Sequence, residues 1–102
     1  MPNNLEWLES WYQRQCDGDW EHREGIRLES LRRPGWQLTI SLEGTTAQNA
    51  LPNRLTLDSS GGEWLDCTIS GQRFQGAGDP RRLEQIIGIF RKWVEEPERS
   101  QP

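Results

Sequence analysis

Residues 25–42 read GIRLESLRRPGWQLTISL, and the period of this stretch decides the fold. Ile26 and Leu28 alternate with Arg27 and Glu29, and Trp36, Leu38, Ile40 and Leu42 alternate with Gln37, Thr39 and Ser41. A period of two marks strands that bury one face and leave the other wet. Between the two runs, Arg32, Arg33, Pro34 and Gly35 supply a short turn, in which proline presets one backbone angle and glycine tolerates positive φ. The spacing predicts an antiparallel hairpin.

Downstream, Leu65, Cys67 and Ile69 alternate with Trp64, Asp66 and Thr68 in a further strand, and the turn Ser70-Gly71-Gln72 leads into a short strand over 73–75. Gly76, Ala77 and Gly78 read as a tight turn. Residues 43–62 lack a clean period: a polar stretch over 44–49 precedes a candidate strand with Leu55 and Leu57 and a Ser-Ser-Gly-Gly turn. Asp79 followed by Pro80 is a strong helix start, and Leu83, Ile86, Ile87, Phe90 and Val94 then form one stripe flanked by Ile89 and Trp93, closed by Pro97. Upstream, Asn3 or Asn4 can cap a helix to about Gln15 that sets Leu5, Leu8, Tyr12 and Cys16 on one face, with Gly18 as its stop. Trp11 flanks that face, whereas Trp7 projects about 160° from Leu5 and lacks cover.

Helix, strands, helix is an α+β order: an antiparallel sheet of four or more strands, with an N-terminal and a C-terminal helix packed on one face. We expect one domain across residues 1–102, an ordered core over about 4–95 and a tail over 96–102. Leu5, Leu8, Tyr12, Leu38, Ile40, Cys67, Ile69, Ile86, Ile87 and Phe90 are its expected core. The opposite sheet face would present Arg27, Glu29, Thr39, Ser41, Trp64, Asp66 and Thr68.

Only 32% of residues are hydrophobic and the mean hydropathy is −0.91, a composition that stays unfolded when the apolar residues are scattered. Here they are periodic, and six tryptophans add large buried area. The net charge of −4 is uneven: residues 1–31 hold three arginines against seven acids, and the remainder is balanced. An acidic end repels phosphate backbones and attracts basic partners, so nucleic acid is not the expected ligand. No apolar run reaches the roughly 18 residues of a membrane span, and the start lacks a signal-peptide pattern; a cytoplasmic protein with free Cys16 and Cys67 is expected.

Asp17-Gly18-Asp19-Trp20-Glu21-His22 gathers four ionisable groups but matches neither a calcium loop nor a zinc spacing, so a turn whose carboxylates bond local backbone is preferred to a cation site. Both cysteines fall on inward positions and lack the electropositive setting of a reactive thiolate. Gly76-Ala77-Gly78 ahead of a helix resembles a phosphate loop faintly, yet Asp79 takes the place a phosphate would fill. Arg81, Arg82, Arg91 and Lys92 interleave with acids as a solvated face. No catalytic residue, metal site or cofactor is expected; a small cysteine-dependent enzyme such as a sulfurtransferase, or a nucleic-acid-binding adaptor, are the alternatives.

The strings WYQRQCDGDWEH (11–22), PGW (34–36), WLDC (64–67) and FQGAGDPRRLEQIIGIFRKWV (74–94) resemble the immunity protein 53 family of bacterial polymorphic toxin systems over roughly residues 5–95. The resemblance implies a non-enzymatic cytoplasmic protein that binds and neutralises a cognate toxin encoded beside it. Many such toxins attack nucleic acids and are basic, which an acidic inhibitor would meet quickly through electrostatic steering. Asp17, Asp19 and Glu21 in the acidic segment, and Trp64 with Asp66 on the uncovered sheet face, are the candidate partner-binding residues. The competing reading is that Trp20 plugs the core and the acids solvate a turn.

Overall fold

The computed structural model describes residues 3–23 and 25–95. Its elements are α1 (Asn4–Gln15), α2 (Trp20–Arg23), β1 (Ile26–Ser30), β2 (Trp36–Ser41), β3 (Asn53–Asp58), β4 (Trp64–Ile69), β5 (Arg73–Gly78) and α3 (Leu83–Glu95). The expected tail and the Pro97 stop lie outside the described residues.

The expected hairpin forms, with Ile26 opposite Ile40 and Leu28 opposite Leu38, and Leu31 N–H donates to the Gly35 carbonyl at 3.0 Å across the turn. Gly35 does not sit at positive φ; what requires glycine is space, because a Cβ there would lie 2.4 Å from the Gly78 carbonyl oxygen. All five strands join one antiparallel sheet in the order β1-β2-β5-β4-β3. Its register aligns inward-facing rows such as Ile26, Ile40, Phe74, Ile69 and Asn53, then Leu28, Leu38, Gly76, Cys67 and Leu55. The segment Gly76–Gly78 is therefore strand, with partners on both sides, and not the tight turn its glycines suggest. A Cβ at Gly76 would stand 2.5 Å from Ile86 Cγ2, so the bare strand is what lets α3 rest on the sheet.

Helices α1 and α3 contribute to one buried cluster with inward residues of β2, β4 and β5, which places both on the same face. Phe90 sits at its centre, with its ring centroid 4.9 Å from Phe74, 5.1 Å from Trp11 and 5.8 Å from Trp7. The buried stripe of α1 is Trp7, Leu8, Trp11 and Gln15; Leu5 is 51% exposed and Tyr12 38% exposed, against the sequence expectation. Two indoles remove more apolar area from water than a leucine and a tyrosine, so the helix turns its tryptophans inward. The same rotation leaves Cys16 exposed at the end of α1, where its N–H donates to the Tyr12 carbonyl at 3.2 Å. Trp7 finds its cover beneath α3: its indole N–H donates to Glu95 Oε2 at 2.8 Å, and the Arg91 guanidinium lies 5.6 Å above the ring.

Before α3, Asp79 initiates a turn instead of capping the helix directly. Its carboxylate accepts from Arg81 N–H at 2.9 Å and from Trp64 N–H at 2.8 Å, tying β4 to the start of α3. In the less legible stretch after β2, Thr45 Oγ1 donates to the Leu42 carbonyl at 2.7 Å and Thr46 exchanges two bonds with buried Gln15, so this loop is clasped onto α1. The candidate strand with Leu55 and Leu57 is β3, at the sheet edge.

Because Phe90 touches every layer of the core, Phe90→Ala should lower unfolding free energy by about 3–5 kcal/mol. Gly76→Val should cost about 1–3 kcal/mol by lifting α3 from β5. Leu5→Ala should stay within about 0.5 kcal/mol. Chemical denaturation of the three variants measures this, and a loss at Leu5 as large as that at Phe90 would contradict the observed facing of α1.

Candidate partner-binding face

The outward rows of the sheet form the other face. Register sets Arg27, Thr39, Gln75, Thr68 and Arg54 side by side, and next to them Glu29, Gln37, Ala77, Asp66 and Thr56. Both long helices lie behind this surface. A concavity of about 500 Å³ lies over β1, β2 and β5, bordered by Arg23, Arg27, Arg73, Glu29, Thr39 and Gln75. A hollow of about 150 Å³ reaches from it to Asp17 and Asp19, sharing Arg23 and Ser41. On the other side a hollow of about 180 Å³ extends to Asp66 and Thr68, sharing Gln37 and Gln75. The three share lining residues and form a furrow with Asp17 and Asp19 at one end, Asp66 at the other, and Arg23, Arg27, Arg73 and Glu29 between them.

Asp17 and Asp19 line the hollow at one end and Asp66 the hollow at the other, whereas Glu21 is not among the residues lining the three. Trp64 lies two residues from Asp66 on the same strand face, half-buried opposite Asp58, outside the residues that border the furrow. Asp66 Oδ2 lies 3.4 Å from Arg54 Nη2, and its Oδ1 accepts from Thr56 Oγ1 at 3.1 Å.

The acidic turn is built by its own backbone. Asp17 Oδ1 accepts from Trp20 N–H at 3.0 Å and Asp19 N–H at 2.9 Å, which caps α2. Glu21 reaches back to accept from Asp17 N–H at 2.9 Å and Gly18 N–H at 2.8 Å. These bonds hold both carboxyls below their ordinary range: Asp17 mainly through Trp20 N–H and then Asp19 N–H, Glu21 mainly through its own N–H, with Asp17 and Gly18 N–H adding to it. Asp19 faces water, paired with Arg23 at 3.2 Å. Trp20 is a core plug: it is buried, its indole N–H donates to the Ser41 carbonyl at 3.0 Å, and its ring meets Trp11 edge-on at 5.8 Å.

Arg23, Arg73, Gln37 and Gln75 are the furrow residues that sequence reasoning did not single out. Arg73 and Gln75 reach Ser41 and Thr39 only through the β2–β5 pairing, a register that no local pattern announces. Cys67 is fully buried, and burial, followed by the nearby Asp66 charge, pushes its thiol up to about 12. Among the described residues no group of three or more His, Cys, Asp or Glu side chains is placed to hold a metal ion, and no helix is long and apolar enough to cross a membrane.

Fold and face together define a small α+β domain whose sheet is covered on one side and offers a polar, charge-patterned furrow on the other. The immunity protein 53 family profile matches residues 5–95, and the chain belongs to that family of immunity proteins. Comparison with curated proteins and with solved structures found no match.

In the native state iodoacetamide should modify Cys16 and spare Cys67, with Cys67 reacting only after denaturation. Mass spectrometry before and after unfolding reads this directly, and rapid native labelling of Cys67 would reopen thiol chemistry.

The depressed carboxyls of Asp17 and Glu21 contribute stability that is fully present above their unfolded-state values and is lost as pH falls through their lower folded values. The Gly18 and Trp20 amide resonances should therefore shift together in acid. Asp17→Asn/Glu21→Gln should remove that transition, and its persistence in the double variant would assign it elsewhere.

Proposed function

We propose that this protein neutralises a cognate toxin by binding it across the open face of the sheet, so that the toxin's working surface is masked without any reaction by the immunity protein. Membership of the immunity protein 53 family supports a toxin partner. The observation that carries the location is the furrow, which joins the acidic turn to Asp66 across a sheet face that neither long helix covers. Outward strand positions form a stiff, preorganised surface, and a partner that docks there pays little ordering cost.

The charge pattern refines the partner. Acids at the two ends of the furrow favour basic groups on the partner, as a nuclease toxin would present. A cytoplasmic setting fits a protein that guards the producing cell from within.

Co-expression with the toxin encoded beside it should rescue growth. Thr39→Trp fills the middle of the furrow with a residue that suits a strand, and should raise the dissociation rate by at least about tenfold while the thermal midpoint stays near wild type. Asp19→Ala should slow association mainly at low salt, and Trp64→Ala should speed dissociation if that indole touches the toxin. Wild-type kinetics in the Thr39 variant would place the toxin on another surface.

A further inference from the structure

At the edge farthest from β1, β3 is exposed at all six residues and pairs only with β4. Ser59 N–H donates to the Glu63 carbonyl at 2.9 Å, which continues the β3–β4 register and fixes its alternation. Asn53, Leu55 and Leu57 therefore bond toward β4, and Arg54, Thr56 and Asp58 direct their N–H and carbonyl groups out of the sheet. On the helix side Leu55 and Leu57 are 37% and 45% exposed, because the buried cluster draws its strand residues from β2, β4 and β5 alone. An open row of backbone donors and acceptors beside uncovered leucines is a template for another strand.

We propose that this strand is β3 of a second copy, paired antiparallel about a two-fold axis through Thr56 so that the two five-stranded sheets become one. The sequence Asn-Arg-Leu-Thr-Leu-Asp is self-complementary in this register. Thr56 faces Thr56, Arg54 faces Asp58 of the second copy on the polar side, and Leu55 faces its Leu57 on the apolar side. Each of Arg54, Thr56 and Asp58 then exchanges both of its outward backbone bonds. Moving the axis to Leu55 would set Asp58 opposite Pro52, which has no N–H to give, and moving it to Arg54 or Asp58 would set like charges face to face.

Charges on edge strands commonly prevent such pairing, and one sign repeated along β3 would do so. Opposite signs two residues either side of the centre do the reverse. The other edge, β1, carries a shorter version in which Arg27 faces Glu29 about Leu28, with Ile26 opposite Ser30. It joins a single pair of leucines where β3 joins two, and its charged residues border the furrow, so β3 is the stronger self-association edge.

Sedimentation velocity on the whole chain over a range of concentrations tests the dimer without using the toxin. Wild type should pass from monomer to dimer as concentration rises. Asp58→Arg should weaken association by about tenfold or more, and adding Arg54→Asp should restore it by swapping the pair. Thr56→Pro should abolish the dimer, since the N–H it removes points out of the sheet and bonds nothing among the described residues; thermal melts establish that each variant folds. A monomer at every concentration overturns the proposal. So does a dimer indifferent to the charge swap at 54 and 58, or one broken by Glu29→Arg, which would assign association to β1.

Discussion

Packing of Trp7 and Trp11 edge-on, and of Phe74 at a tilt, around the Phe90 ring is the contact on which the architecture depends. A chain this polar has few apolar residues to bury, and it concentrates them where α1, α3 and the central strands meet. Aromatic pairs in this arrangement gain from the quadrupole of each ring as well as from area. The cluster needs α3 close to the sheet, and Gly76 provides that approach by having no side chain beneath Ile86. Orientation of α1 follows, since only one rotation of that helix delivers both indoles to Phe90.

A core so concentrated leaves the rest of the sheet uncovered. The two helices serve the middle strands, so the inward residues of β1 and β3 remain partly wet, and neither long helix covers the outward face. On that face cross-strand neighbours come from segments far apart in the chain: Arg27, Thr39 and Gln75 lie in one row. A binding surface assembled in this way is stiff, because each side chain stands on a paired strand. It also carries both signs of charge, which favours a partner of matching pattern over any generally basic protein.

The strands with a period of two were legible, as was the α3 stripe, because each depends on local alternation that tertiary packing reinforced. Two readings failed for a common reason. Helical spacing alone gives Leu5, Leu8, Tyr12 and Cys16 the same standing as Trp7, Leu8, Trp11 and Gln15, and only the larger area of the two indoles separates the two stripes. Gly76–Gly78 was read by turn propensity, whereas its strand is held by partners at Leu38 and Cys67, nearly forty and nine residues away. Asp17 and Glu21 were legible as carboxylates beside a turn, and their bonds to local N–H groups match the plainer reading of that segment. Arg73 and Gln75 were not legible as site residues, since their place in the furrow exists only once β5 inserts between β2 and β4.

A structural role for Asp17 and Glu21 does not remove them from recognition. Backbone N–H bonds lower their proton affinity, so both remain charged throughout the neutral range and into mild acid. The field an approaching protein feels depends on that charge and its position, not on whether the carboxylate is already bonded. Capping fixes the position: a carboxylate held by two N–H groups stays put, whereas a free glutamate samples several rotamers and smears its field. At physiological ionic strength the field extends about 8 Å, enough to orient a basic surface in the last stage of encounter but too short to attract it from afar. In the docking proposed above, the acidic turn would act at one end of the furrow as a fixed guide, with affinity left to groups that touch the toxin after docking. Under the proposed docking, removing Asp17 and Glu21 together would disturb the turn as well as any steering, whereas Asp19, exposed and paired with Arg23 at the surface, would report on steering more cleanly.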